Sequence, residues 1–353
     1  MSLREFGFTT DLEERFKNES DDFEIGRVIS EHKERYVVKT EKGEVEAEIT
    51  GNMRFSATSR EDFPAVGDWV SLTVYDQNFG IIHKVFPRKS VIKRQAVGQY
   101  GEIQIIAVNV DFAFIMQAVD RDFSINRMER YLAICTSSNV QPIIVLSKTD
   151  LISHEQLHEI LDHVKHRIFN YPVVTISNET REGYESVFSV IEKGKTYCLL
   201  GSSGVGKSTL LNNLSGKSVM KTDVISQSTN RGKHVTTHRE LIALENGGIM
   251  IDNPGMREVG LTDVGEGLEL IFSRIEKYSK DCRYQDCTHV HESGCAVIAA
   301  VNKGEIDQDS YENYLKMKKE TDYFESTVLE RKKKEKVFGR MLKNYKKDQK
   351  NRE

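Results

Sequence analysis

Gly201-Ser202-Ser203-Gly204-Val205-Gly206-Lys207-Ser208 fits the pattern G-x-x-x-x-G-K-[ST], and no other stretch limits the fold as tightly. The glycines let the backbone curl until its N–H groups point at phosphate oxygens. Such a loop works only where a strand enters and a helix leaves. Here the apolar run Thr196–Leu200 enters, and helical spacing begins inside the loop and runs on past Thr209. Lys207 is placed to reach the β- and γ-phosphates, and Ser208 to ligate Mg²⁺. A plain Gly/Ser turn before a helix has the same letters, and the flanking strand and helix are what set this stretch apart.

Two further pieces follow it. In "IDNPG", Asp252 ends an apolar strand and suits a carboxylate that holds Mg²⁺, while Gly255 can turn a backbone N–H toward the γ-phosphate. A lone D-x-x-G is an ordinary turn, and its place downstream of a phosphate loop is what makes it informative. Between them, residues 226–241 are polar and aperiodic, as in a switch segment ordered by γ-phosphate and Mg²⁺. Thr236 or Thr237 offers the hydroxyl for Mg²⁺ in the triphosphate state. A surface loop without that role has the same composition.

Upstream of the phosphate loop lies "LSKTD". In GTPases an N-K-x-D element reads the base: its aspartate accepts bonds from guanine N1–H and N2–H₂, and its lysine stem covers the ring. Lys148 and Asp150 are present, with Ser147 in the asparagine position. Adenine lacks that donor pair and would leave the carboxylate unpaired. In "TISNE", Ser177 stands where a second loop approaches the guanine oxygen. The order is base, second base loop, phosphate loop, switch, D-x-x-G, whereas a Ras-type chain puts the last three first. Joining the old ends of such a chain and cutting it between its third and fourth motifs gives this order. A parallel sheet keeps its site wherever the chain is cut, so the sequence predicts a circularly permuted GTPase domain.

The surroundings add two more parts. Residues 23–90 hold about five short strand-like runs, including "GRVISEHKERYVVKT" and "GDWVSLTVYD", which suits a small OB-type barrel. Trp69 is expected in a core. From Val108 strands and helices alternate, the signature of a mostly parallel sheet. Cys135 and Cys198 lie in apolar segments and read as buried thiols. Cys282, Cys287 and Cys295 cluster with His289 and His291, and three thiolates with one imidazole make a closed structural zinc set. No apolar run is long enough to span a membrane and no secretory h-region is visible, so a cytoplasmic protein is expected. Residues 331–353 carry eleven Lys/Arg against three Asp/Glu, a local charge of +8, so the remaining chain carries −12. A basic tail on an acidic body suits a polyanionic partner.

Together "GDWV", "SKTD", "GSSGVGKST", "GKHVTT", "DNPG" and the Cys/His cluster resemble the ribosome small-subunit-dependent GTPase A (RsgA) family, over roughly residues 22–320. Ser147 departs from the asparagine usual there. The resemblance implies an N-terminal OB-fold barrel, a circularly permuted P-loop GTPase domain and a C-terminal helical zinc domain. The corresponding boundaries are 1–21 for an N-terminal extension, 22–95 for the barrel, 96–272 for the GTPase domain, 273–330 for the zinc domain and 331–353 for the basic tail. It selects His289 over His291 as the fourth zinc ligand. It also implies a GTP hydrolase that binds GTP and GDP with Mg²⁺, acts late in 30S subunit maturation, contacts 16S rRNA and is stimulated by the subunit. A monomer is expected. Met256 follows Gly255 where Ras-type enzymes soon supply a water-orienting glutamine, so His234 in the switch becomes the candidate for that task. No arginine finger is visible in the sequence, and slow intrinsic turnover is expected. A P-loop kinase and an RNA-binding P-loop switch with weak turnover are the competing readings.

Overall fold

The computed structural model describes residues 2–17, 23–32, 35–76, 78–95, 103–216, 239–252 and 264–325. The chain divides into two units, Met1–Gly260 and Leu261–Glu353.

The first unit opens with a short 3-10 turn, Leu3–Phe6, and helix α1 (Thr10–Lys17). Strands β1 (Glu24–His32), β2 (Arg35–Thr40) and β3 (Glu44–Ile49) follow, then the short helix α2 (Gly51–Ser56), β4 (Trp69–Asp76) and β5 (Phe79–Val85). The order β1-β2-β3-β5-β4, with β4 returning to pair with β1, closes a five-stranded barrel. Alternation in the sequence dictates it: in "EVEAEI" of β3 every glutamate is exposed and Val45, Ala47 and Ile49 point inward. Gly26 is required where strands crowd, since a Cβ there would lie 2.4 Å from Val38 Cγ1. The long run "GRVISEHKERYVVKT" is divided between β1 and β2, which pair antiparallel.

Trp69 is buried, but its neighbours are Leu3, Phe8, Phe16 and Phe86. Residues 2–17 therefore lie over the barrel and share a core with it, a role their sequence does not announce. Arg27 fixes this arrangement. Its fully buried guanidinium donates to Phe6 O (2.6 Å), Gly67 O (3.2 Å) and Thr196 Oγ1 (2.9 Å), and stacks over Trp69. Burial lowers it to about 10, against the opposing pull of Asp111 and Asp68.

Strands β6 (Val91–Gln95) and β7 (Ile103–Val108) form a separate antiparallel pair. Then β8 (Phe112–Ala118), helix α3 (Ile125–Ser137), β9 (Gln141–Ser147), α4 (His154–Arg167), β10 (Val173–Thr175), α5 (Tyr184–Ser189), β11 (Thr196–Gly201), α6 (Lys207–Ser215), β12 (Arg239–Ala243) and β13 (Ile249–Asp252) complete the unit. The order β10-β9-β8-β11-β13 is parallel throughout, with β12 antiparallel at its end. Strand β12 also pairs with β1, at Ser30 with Glu240 and Glu31 with Arg239, so the barrel and this sheet are hydrogen-bonded to one another. Helix α3 buries the stripe Ile125, Met128, Tyr131 and Leu132, as its spacing predicts. Cys135 and Cys198 are fully buried, and burial pushes both thiols up.

The second unit contains α7 (Gly265–Ile271), α8 (Ser273–Ser279), α9 (Ala296–Asn302) and α10 (Gln308–Glu325). Its core includes Leu268, Phe272, Ile275, Val297, Tyr314 and Met317. Among the described residues, no helix is long and apolar enough to cross a membrane.

Replacing Arg27 by alanine is expected to destabilise the first unit by about 3 kcal/mol or more, because it strands buried carbonyls and opens a cavity. Arg27→Lys should recover only part, since one ammonium cannot span three acceptors. Denaturant unfolding checks this; an unshifted midpoint for Arg27→Ala would show that the clamp carries no stability.

Candidate functional site

Each element of the site stands at the same end of the parallel sheet. Strand β11 is buried along its whole length and delivers Gly201 at the loop's start. Gly201 has φ +149°, and a Cβ there would sit 2.4 Å from Met116 O. Gly206, at φ +96°, begins α6. Lys207 Nζ donates to Gly201 O (2.8 Å) and Ser202 O (2.6 Å), which folds its side chain back across the loop. Ser203 and Gly204 are exposed, Val205 is buried, and Ser202, Ser208 and Thr209 are partly exposed.

Asp252 ends β13 and is only 7% exposed. Burial, then the charge of Glu240, pushes it up to about 6, against the pull of Lys207. A buried carboxylate in that environment, within electrostatic reach of Lys207, fits a hard divalent cation, whose charge favours the ionised form. Gly255, His234, Thr236 and Thr237 lie outside the described residues, as does the tail 331–353.

The candidate base-reading residues are tied to this loop. Ser147 at the end of β9 is fully buried and its hydroxyl donates to Val205 O at 2.7 Å. Lys148 takes the left-handed conformation, φ 62°, and pairs with Asp120 at 2.8 Å. Asp150 sits in the one-turn 3-10 segment Thr149–Leu151. Ser177, just past β10, donates to Asp150 Oδ1 at 2.5 Å and accepts from the backbone N–H groups of Glu179 and Thr180. Its hydroxyl is thus engaged in aiming the Asp150 carboxylate.

Four residues of this site have no role in the sequence motifs. Asn178 Nδ2 donates to Gly206 O at 3.1 Å, while its Oδ1 accepts from the Tyr184 hydroxyl at 2.7 Å. Tyr184 in turn accepts from Asn213 on α6. Arg127 on α3 donates to Ser202 Oγ at 3.0 Å. Apart from Asn178 and Tyr184, which are six positions apart, each pair is far apart in sequence, beyond the reach of any spacing rule.

In the second unit, Cys282, Cys287, His289 and Cys295 place their ligand atoms within 4.8 Å of one another. His291 is not in the set. A tetrahedral ion with metal–sulfur bonds of about 2.3 Å sets its sulfurs roughly 3.8 Å apart. Cys282 Sγ and Cys295 Sγ are 3.8 Å apart, and His289 Nδ1 is 3.6 and 3.5 Å from them. Burial and Lys318 lower the His289 pKa, which favours the neutral, ligating imidazole. Tyr311 fixes the loop by donating to His289 O. The residues fit a closed structural metal site.

Comparison with known proteins agrees with this geometry. The family model described as RsgA GTPase matches residues 85–262, and one described as 50S ribosome-binding GTPase matches residues 196–332. The chain is 39% identical to the small ribosomal subunit biogenesis GTPase RsgA 1 of Bacteroides thetaiotaomicron, over 92% of this chain and 91% of that one. Among solved structures it is similar to YjeQ from Thermotoga maritima, with a TM-score of 0.62 and 26% identity over 83% of this chain and 96% of that one. It is equally similar to YloQ, described as a circularly permuted GTPase, with a TM-score of 0.62 and 25% identity over 88% and 99%. With the motif order, the closed barrel and the Cys/His cluster all in place, the chain belongs to the RsgA family of circularly permuted GTPases.

Proposed function

We propose that this chain hydrolyses GTP on the small ribosomal subunit and assists its late maturation. One observation carries the reading: the base-reading and phosphate-binding residues, in permuted order along the chain, are bonded to one another through Ser147–Val205 and Asn178–Gly206. The names of relatives that match most of the chain supply the subunit. The model described as 50S ribosome-binding covers only the phosphate-loop half onward, so it speaks for the nucleotide machinery and not for the partner.

In this reading Asp150, with one oxygen held by Ser177, keeps the other for guanine N1–H and N2–H₂. Loop N–H groups from Gly201 to Thr209 cradle the phosphates, and Lys207 exchanges its carbonyl partners for phosphate oxygens. Ser208 and Asp252, with Thr236 or Thr237, hold Mg²⁺, which neutralises charge on the β- and γ-phosphates when bound. His234 orients the attacking water. The Cys₃His set holds one structural zinc, and the basic tail contacts 16S rRNA. The domain boundaries are those given by the sequence, and the protein works as a cytoplasmic monomer. A P-loop kinase is disfavoured by the permuted base-reading motif, and an RNA-binding module with a degenerate nucleotide site by the intact Lys207, Ser208 and Asp252.

The deciding measurement is GTP turnover by the protein alone, with 30S subunits and with 50S subunits. Stimulation by 30S and not by 50S subunits is expected; equal rates in all three conditions would defeat the proposal. Guanine selectivity provides a second check. Two lost hydrogen bonds at roughly 1 kcal/mol each imply at least tenfold weaker binding of ATP than of GTP. Asp150→Asn should erase most of that gap, and a wild-type protein indifferent to the base would rule out the assignment of Asp150. For the metal, elemental analysis should find one equivalent of zinc, reduced by Cys287→Ala together with the stability of the second unit. Metal-free protein with an unchanged melting profile would exclude a structural zinc.

A further inference from the structure

We propose that Arg127 is a catalytic residue supplied in cis, an arginine that moves from Ser202 onto the terminal phosphate of bound GTP; this rests on the GTPase reading above. Arg127 is in the first turn of α3, after the N-cap Ser124. That placement is electrostatically costly, because the N-terminal end of a helix carries partial positive charge and favours anions. Nothing local compensates. The first turn of α3 holds no acidic residue. Both of the guanidinium's bonds among the described residues go to neutral oxygens, Ser202 Oγ at 3.0 Å and Asp122 O at 3.3 Å. Neighbouring cations are treated differently: Arg167 pairs with Glu129 and Lys148 with Asp120. A half-buried guanidinium held against the phosphate loop without a carboxylate is a charge stored for an anion.

The position suits the terminal phosphate. Lys207 Nζ donates to the carbonyl of the same Ser202 whose hydroxyl Arg127 holds. Two cations of different type thus converge on one loop residue, and the lysine is the one that general P-loop chemistry sends to the β- and γ-phosphates. A guanidinium arriving beside it, with five donors in a planar fork, can bridge γ-phosphate oxygens where the lysine offers a point charge. In hydrolysis the water oxygen bonds to the γ-phosphorus and the bond to the β–γ bridging oxygen breaks, leaving GDP and phosphate. Arg127 stays protonated and forms no covalent bond. Its contribution is to charge on the oxygens as the bond loosens, where an arginine accelerates transfer by roughly 10³–10⁵.

The test uses the full-length protein as wild type, Arg127→Ala, Arg127→Lys and Ser202→Ala. GDP affinity, GTP affinity, single-turnover GTP hydrolysis with and without 30S subunits, and binding of GDP with aluminium fluoride are measured for each. We expect Arg127→Ala to lose at least tenfold in hydrolysis and to lose the aluminium fluoride complex, while GDP affinity stays within about threefold of wild type. Arg127→Lys should recover part of the rate. Retained GDP binding also certifies that the variants fold. The proposal is overturned if Arg127→Ala hydrolyses at the wild-type rate. It is equally overturned if Arg127→Ala and Ser202→Ala weaken GDP and GTP binding in parallel with unchanged turnover of bound GTP, which is the behaviour of a strut. A wild type inert toward GTP would sink the GTPase reading along with this one, whereas an active wild type with an indifferent Arg127→Ala sinks this one alone.

Discussion

The bond from the Ser147 hydroxyl to the Val205 carbonyl joins the two halves of the nucleotide site. It is possible because β8, β9, β10, β11 and β13 run parallel, so the segments leaving them emerge along one edge. S-K-x-D leaves β9, Ser177 follows β10, the phosphate loop leaves β11 and Asp252 ends β13. Hydrogen bonds across that edge depend on strand order and not on where the chain begins. The bond is buried, and removing its donor from a buried carbonyl costs about 1–3 kcal/mol.

The same logic links the barrel to the site. Glu240 of β12 stands opposite Asp252 on one side and opposite Ser30 of β1 on the other. The barrel wall is therefore two ladder steps from the candidate Mg²⁺ carboxylate. Arg27 reinforces the junction from within, since one of its three acceptors, Thr196, is the first residue of the strand that carries the phosphate loop. An ion pair could not do this alone. The guanidinium is satisfied by two carbonyls and a hydroxyl from three separate segments, which is what fixes their relative positions.

What was legible in the sequence was what local spacing encodes. The alternation in β3, the stripe on α3, the phosphate loop and the three metal-site cysteines follow from residue type and interval, the choice of His289 over His291 follows from the family resemblance, and the structure has them all. The motif order alone disclosed the permutation. The contacts that had no local signature were invisible: the cover formed by Leu3, Phe8 and Phe16 on Trp69, the clamp of Arg27, and the reach of Arg127 to Ser202 across seventy-five positions. Arg127 looked like one more polar residue between the apolar positions of an amphipathic helix. Only the packing of α3 beside β11's loop gives it a phosphate-loop neighbour.

Ser147 shows how a departure from the family pattern is absorbed. A serine is shorter than the usual asparagine and has one proton to give, which it spends on Val205 O. The amide donor is found instead on the second base loop, where Asn178 donates to the next carbonyl, Gly206 O. Its orientation is not arbitrary. Tyr184 donates its hydroxyl proton to Asn178 Oδ1 and accepts from Asn213, so the amide oxygen is occupied and the NH₂ end must face the loop. Gly206 is the only residue type that admits this approach, since a Cβ there would meet Nδ2 at 2.3 Å. Successive carbonyls of the phosphate loop are thus held by successive base loops. The two candidate base loops are connected to the phosphate loop by different chemistry, a hydroxyl from one and an amide from the other.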